Sequence, residues 1–156
     1  MKKHLILLIV LMQLLISCKT PSMFQVECSS VSFDATYIVD VSTESKQGYA
    51  DLNQIKLNAI DGILFRGLSG GGCVTQKPLL TISKSEALDN PAVKAIYDKS
   101  KGFNKYITGV ENLGIKQEYA GKKPVSVSKY RVSVNKELLR ADLTKSGAIK
   151  SLSNGF

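Results

Sequence analysis

Histidine is nearly absent from this chain: one residue in 156, at position 4, inside an N-terminal apolar segment. Once that segment is removed, no imidazole is left to act as a general base or to ligate a metal. Long apolar runs are scarce too. The most sustained one, residues 5–16, is broken by Gln13. As a helix it covers about 18 Å against the roughly 30 Å of a bilayer core, too short to span. There is no internal repeat and no low-complexity tract. With 44% hydrophobic and 22% charged residues, the composition is that of an ordinary globular domain and excludes disordered, collagen-like and fully membrane-embedded classes.

What is present at the N-terminus is ordered like an address. Lys2 and Lys3 precede the apolar run, which closes in Leu15-Ile16-Ser17-Cys18, the layout of a signal-peptide n-region and h-region. These last four residues resemble the lipobox of bacterial lipoproteins. The resemblance implies cleavage before Cys18, diacylation of its thiol and acylation of the new amine, so that covalent lipid takes the place of a cofactor. A single acyl chain binds a membrane marginally, whereas two or three hold it stably. Residues 1–17 are then a lipoprotein signal peptide, 18–23 the lipidated cysteine with a short tether, and 24–156 a single domain. Lys19 rather than Asp follows the cysteine, and Lys19-Thr20-Pro21-Ser22 has no acidic cluster. By resemblance to sorting rules, this implies an outer-membrane protein facing the periplasm. The expected partners are the membrane itself, an envelope protein or an anionic envelope polymer. Nucleic acid is not expected, because export removes the opportunity and no zinc-finger, RNP or helix-turn-helix signature is present.

Charge is unevenly spread along the chain. The formal net charge is +8, and loss of Lys2 and Lys3 leaves +6. Residues 18–93 carry six basic and eight acidic side chains, while residues 94–150 carry thirteen basic and five acidic. Lys122, Lys123, Lys129, Arg131, Lys136 and Arg140 are therefore candidates for a basic contact patch, against the plainer reading of a solvated lysine-rich surface. Of three cysteines, lipidation of Cys18 leaves Cys28 and Cys73. In an oxidising compartment these form either a disulfide or two buried thiols. A bridge would close a loop of about 45 residues, worth roughly 4 kcal/mol in the chain-entropy model.

The pattern along the chain predicts an α+β domain in two layers, with an antiparallel or mixed sheet and two main helices, about 48–66 and 136–146, packed on one face. Phe33, Ala35, Tyr37, Val39 and Val41 alternate with Asp34, Thr36 and Asp40, the pattern of a half-buried strand. Leu52, Ile55, Ala59 and Ile63 follow helical spacing, with Asp51 at the start and Gly67 placed as C-cap. Asn90-Pro91 opens a helix to about residue 100, with Ala92, Val93, Ile96 and Tyr97 as its apolar face. Strands are expected at 105–110, 115–119 and 125–134, with Gly121-Lys122-Lys123-Pro124 as a turn. Asn135 caps the last helix, with Val134 and Leu139 at the staple positions and Leu138 and Leu143 completing the apolar side.

Catalytic signals are thin. Ser126-Val127-Ser128-Lys129 matches Ser-x-x-Lys, and Lys145-Ser146-Gly147 echoes Lys-Thr-Gly, but a strand is expected where that chemistry needs a helix start. Asp34, Asp40, Asp51 and Asp61 read as solubilising residues on solvent faces. The glycine run Gly70-Gly71-Gly72 lacks the following Gly-Lys-Ser/Thr of a phosphate loop and reads as a flexible turn.

The helix ending in Gly62-Ile63-Leu64-Phe65-Arg66-Gly67, the following Gln76-Lys77-Pro78-Leu79, and Tyr130-Arg131-Val132-Ser133-Val134 with Leu138-Leu139-Arg140 and Ser153-Asn154-Gly155-Phe156 together resemble uncharacterised small lipoproteins of Bacteroidota. That resemblance implies no known activity. The element order is also similar to small secreted modules of envelope machines. The expected role is a lipid-anchored, non-enzymatic binding or assembly module. The alternatives are a small envelope hydrolase using Ser–Lys or carboxylate chemistry, or a small-ligand binder with its pocket beside the glycine turn.

Overall fold

The computed structural model describes residues 24–31, 36–44, 50–70, 74–120 and 123–150. Four strands form one antiparallel sheet: β1 (Phe24–Val31), β2 (Thr36–Glu44), β3 (Ile107–Ala120) and β4 (Lys123–Asn135), in the order β1-β2-β4-β3. The helices are α1 (Leu52–Asp61), continued by a π-turn (Gly62–Arg66), then α2 (Lys84–Ala87), α3 (Pro91–Ile96) and α4 (Lys136–Lys145), with a 3₁₀ turn at Gly102–Tyr106. The architecture is α+β, as the sequence predicts.

Alternation on β2 and β4 decides which face carries the core. Tyr37, Val39 and Val41 on β2 stand opposite Val134, Val132 and Tyr130 on β4, and all six are buried. Against them lie Ile55, Ala59, Ile60, Ile63 and Leu64 from α1 and its π-turn, Val93 and Ile96 from α3, and Leu139 and Leu143 from α4. At roughly 1.5–3 kcal/mol per fully buried aliphatic side chain, this cluster dominates the favourable side of folding. Leu52 and Leu138, expected on apolar faces, stay 49% and 39% exposed. Both lie in the first turn of a helix, where the apolar stripe has not yet rotated onto the sheet.

The caps follow from their side chains. Asp51 accepts from Asn53 N at 2.9 Å, and Asn135 accepts from Leu138 N at 2.9 Å. Asn90 accepts from Ala92 N at 3.0 Å, while its amide donates to Ser146 O at 3.0 Å and so ties the start of α3 to the end of α4. The π-turn frees the carbonyls of Ile63 and Leu64, which accept instead from Leu79 N (3.1 Å) and Leu80 N (2.8 Å). Gly62 lets this turn approach β1, since a Cβ there would sit 2.7 Å from Val26 Cγ1.

Three expected boundaries move. The helix expected from about residue 48 begins at Leu52, after its cap Asp51. The helix opened by Asn90 stops at Ile96 rather than near residue 100, where its C-cap Tyr97 leaves helical geometry at φ −97° and ψ 1°, and Lys101 then takes a left-handed φ of 58°. Gly102 then packs so tightly under Ala95 that a Cβ would lie 2.0 Å from its carbonyl oxygen. The two strands expected at 105–110 and 115–119 are one strand. The stretch between them holds a bulge at Asn112–Gly114, with Gly114 at φ +100° and its N–H donating to Asn112 Oδ1 at 2.8 Å, and a bulge bends a strand without ending it.

Polar clusters pin the helices. Asp61 accepts from the Tyr97 hydroxyl and pairs with Lys84 Nζ at 2.8 Å, while that ammonium lies 4.1 Å from the Tyr97 ring centroid. Burial, reinforced by Asp61, pushes the Tyr97 phenol far above its ordinary value. On the other side, Asp142 accepts from Lys105 Nζ at 2.7 Å and from the Tyr106 hydroxyl at 2.9 Å. The Lys105 hydrogen bond, then that from Tyr106, hold the Asp142 carboxyl below the usual range. A proton thus binds Asp142 more weakly in the folded than in the unfolded chain. The stabilisation is complete above the unfolded carboxylate pKa of about 4 and is lost as pH falls through the folded value. Asp142→Asn is accordingly expected to lower the urea midpoint at pH 7, with the deficit shrinking at pH 3. An equal deficit at both pH values would refute the assignment.

Candidate functional site

The face of the sheet opposite the helices is open, and the strand register writes its surface. One row crosses all four strands as Glu27–Asp40–Arg131–Glu111, and the next runs Gln25–Ser42–Lys129–Gly114. Asp40 is the centre of this face. Arg131 grips it through Nε–Oδ1 at 3.0 Å and a second nitrogen at 3.3 Å from Oδ2, and Lys129 Nζ stands 3.3 Å from Oδ2. Glu27 and Glu111 complete the network at 3.9 Å from Lys129 and Arg131 respectively. The side chain of Asp40 is only 9% exposed. It is therefore not the solubilising residue its place on the polar side of β2 suggested, but the anchor of a shared charge cluster. Asp51 and Asp61 likewise have structural partners, as cap and as ion-pair acceptor. Asp34 lies outside the described residues, as do Phe33 and Ala35.

The basic candidates among the described residues do not share a surface. Lys129 and Arg131 are on the open face, already answered by acids. Lys136 and Arg140 begin α4 beyond the C-terminal end of β4, with Lys136 Nζ 5.3 Å from the Tyr37 ring centroid. Lys123 is at the opposite end of the same strand, about 40 Å away at roughly 3.3 Å per residue, and Lys122 lies outside the described residues. What the sequence groups by charge, the fold distributes over two ends and a face.

Between those groups the structure shows a feature that no single segment announces. β2 ends at Glu44, opposite Val127, and β1 begins at Phe24; beyond this level, among the described residues, β4 pairs with β3 alone, through Gln117–Ser126, Glu118–Val125, Tyr119–Pro124 and Ala120–Lys123. This overhanging two-stranded ribbon and the open face enclose a cleft of about 690 Å³. Val125 and Val127 supply an apolar strip, with Phe24 at one rim and Tyr119 at the other. Glu27, Glu44 and Glu118 bring negative charge, and Arg66, Lys116 and Lys129 positive. Arg66 is fixed over the Phe24 ring at 4.1 Å and donates to Phe24 O at 3.3 Å. Its volume lies within the range of ligand clefts, and an apolar strip flanked by both signs of charge suits a ligand that is itself apolar and charged. Phe24, Glu44, Glu118 and Tyr119 carry no local signal of this role. Only the cross-strand register joins them.

The other candidate chemistry is taken apart by the same register. Ser126 and Lys129, three apart on a strand, project to opposite faces. The Ser126 hydroxyl accepts from Gln117 Nε2 at 2.9 Å, while Lys129 is held by Asp40. Ser128 is fully buried on the core side, its hydroxyl without a hydrogen-bond partner among the described residues. Ser146 donates to Leu143 O at 3.0 Å as part of the α4 terminus. Of the glycine turn, Gly71 and Gly72 are outside the described residues. Gly70, at φ +90°, does not line the cleft; a Cβ added there would lie 3.9 Å from the Glu27 side chain. Among the described residues no group of three or more His, Cys, Asp or Glu could hold a metal ion, and no helix is long and apolar enough to cross a membrane.

Cys18 and Cys73 lie outside the described residues. Cys28 is 4% exposed on the core side of β1 and is disulfide-bonded. Its N–H donates to Ser69 O at 3.0 Å, which lays the segment after Gly67 along the β1 edge. No family model matches the chain, and neither a curated protein nor a solved structure matches it.

Proposed function

We propose that this chain is a lipid-anchored protein of the bacterial envelope, held in the outer membrane and facing the periplasm, that works as a non-enzymatic binding or assembly module and takes its partner in the cleft of the open sheet face. The observation that carries the reading is the cleft itself: an apolar strip between charges of both signs, lined mostly from the polar face of the sheet and, through Arg66, from the π-turn. Its charges nearly balance, so an anionic polymer gains little there. A polypeptide segment with apolar and charged side chains, offered by another envelope protein, matches it better. The tether adds to this by concentrating the domain at the membrane, where a modest intrinsic affinity suffices. A cleft of this size also fits a small ligand, which is the second reading.

Two measurements test the proposal. Cys18→Ala is expected to abolish palmitate incorporation and to move the protein out of the membrane fraction, and unchanged fractionation refutes the anchor. A photo-crosslinking residue at Glu118, in the cleft, is expected to give a discrete adduct in cells that the same residue at Glu137, on the exposed side of α4, does not. Crosslinks of equal pattern from both positions refute the cleft as the partner site.

A further inference from the structure

The segment that carries the lipid joins the sheet at the same end from which the overhanging ribbon extends. β1 runs away from its first residue, Phe24, so the chain leading back to Cys18 departs from the end of the sheet where β2 finishes and where β3 and β4 continue alone. The lengths agree as well. Ile115 is opposite Ser128, at the level of Phe24, and five residues of β3 separate it from Ala120, roughly 17 Å at strand rise. Six residues separate Phe24 from Cys18, at most roughly 20 Å of extended chain. The tether is thus long enough for the acylated cysteine to sit at the depth of the ribbon's far end.

The side chains at that end are unusual for a surface in water. Tyr119 is 77% exposed and Ile115 51%, and the two project from the same side of the ribbon. Lys116 and Glu118 alternate with them, and Lys123 opens β4 at the far end of the ribbon. An amphipathic aromatic ring, an aliphatic neighbour and lysines whose stems can lie along hydrocarbon while their ammonium groups stay wet are the composition of a membrane–water interface.

Resting on the lipid-anchored reading, we infer that the β3–β4 ribbon is a second membrane contact, with Tyr119 and Ile115 seated in the headgroup region of the leaflet that holds the Cys18 lipid. The domain then stands on two points rather than swinging on one, and the cleft, bounded by that same ribbon, opens next to the bilayer surface. Its partner is thereby one presented at the membrane.

The chain contains no tryptophan, so single-tryptophan variants report without background. The full-length protein, produced in its lipidated form, is reconstituted into vesicles of phosphatidylethanolamine and phosphatidylglycerol with and without brominated acyl chains. Tyr119→Trp is compared with Leu138→Trp, an exposed position in the first turn of α4 at the opposite end of the sheet. The expected result is that Tyr119→Trp emission shifts to the blue and loses most of its intensity to brominated lipid while Leu138→Trp emission is unchanged. Protein that floats with the vesicles but shows no difference between the two variants overturns the ribbon contact and leaves the anchor standing. Protein that fails to float overturns both.

Discussion

Replacing Gly67 by alanine should cost roughly 3 kcal/mol or more, from strained backbone together with a clash at an unyielding site. Gly67 ends the π-turn at φ 77° and ψ 178°, a region that essentially only glycine enters. A methyl group there would lie 2.4 Å from Gln76 O and 3.0 Å from Pro78 N. Neither can retreat. Gln76 is locked to Leu68 by a reciprocal pair of 2.8 Å hydrogen bonds, and Leu79 and Leu80, just after Pro78, are bonded to the π-turn. Gly147→Ala is the matched control. It has nearly the same φ, +73°, but nothing within 4 Å of the added methyl group, so it should lose only about 1 kcal/mol. In thermal unfolding the first substitution should lower Tm by roughly 10 °C or more and the second by a few degrees. Equal losses would mean that the 67–78 junction is looser than its hydrogen bonds imply.

That junction also marks what could be read from the sequence and what could not. The helix stripe from Ile55 to Ile63, the caps Asn90 and Asn135, and the alternation of Tyr37, Val39 and Val41 are local signals, set by side chains within a few residues of one another, and the structure follows them. Gly67 was legible as the end of a helix, but not as the contact that fits the π-turn against Gln76 and Pro78. The bulge at Gly114 hid a continuous strand because Asn-Leu-Gly carries the same chemistry in a bulge as in a turn.

The candidate site was less legible, for a physical reason. Along the chain, the acidic residues precede the basic ones; in space, antiparallel pairing brings the two halves together. Asp40 is 91 residues from Arg131 and bonds to it, and Glu27 belongs to the same row. A charge count along the sequence therefore overstates the free positive surface, since two of its six candidates are neutralised by partners from the first half. The cleft depends on strand ends that stop at different levels. Strand length is among the least certain quantities in a sequence, so the overhang that makes the cleft had no counterpart there.

The sulfur atoms tie the fold to the proposed anchor through a result with a large expected effect. Cys28 is disulfide-bonded, and with three cysteines in the chain its partner is Cys18 or Cys73. A sulfur in a disulfide cannot also form the thioether to a diacylglycerol, so the lipid anchor requires Cys28–Cys73. The backbone favours the same choice: Cys28 N–H bonds to Ser69 O, four residues before Cys73, on the loop that the Leu68–Gln76 bridge closes. Non-reducing digestion of the membrane-extracted protein should therefore yield a peptide linking positions 28 and 73, and Cys18→Ala should leave that link intact. Closing a 45-residue loop is worth about 4 kcal/mol in the chain-entropy model. Cys73→Ser should therefore lower Tm by roughly 10–15 °C, and dithiothreitol should bring the parent protein down to the same value without changing the variant. A 28–18 link in the extracted protein would remove the disulfide assignment and the acylated cysteine together.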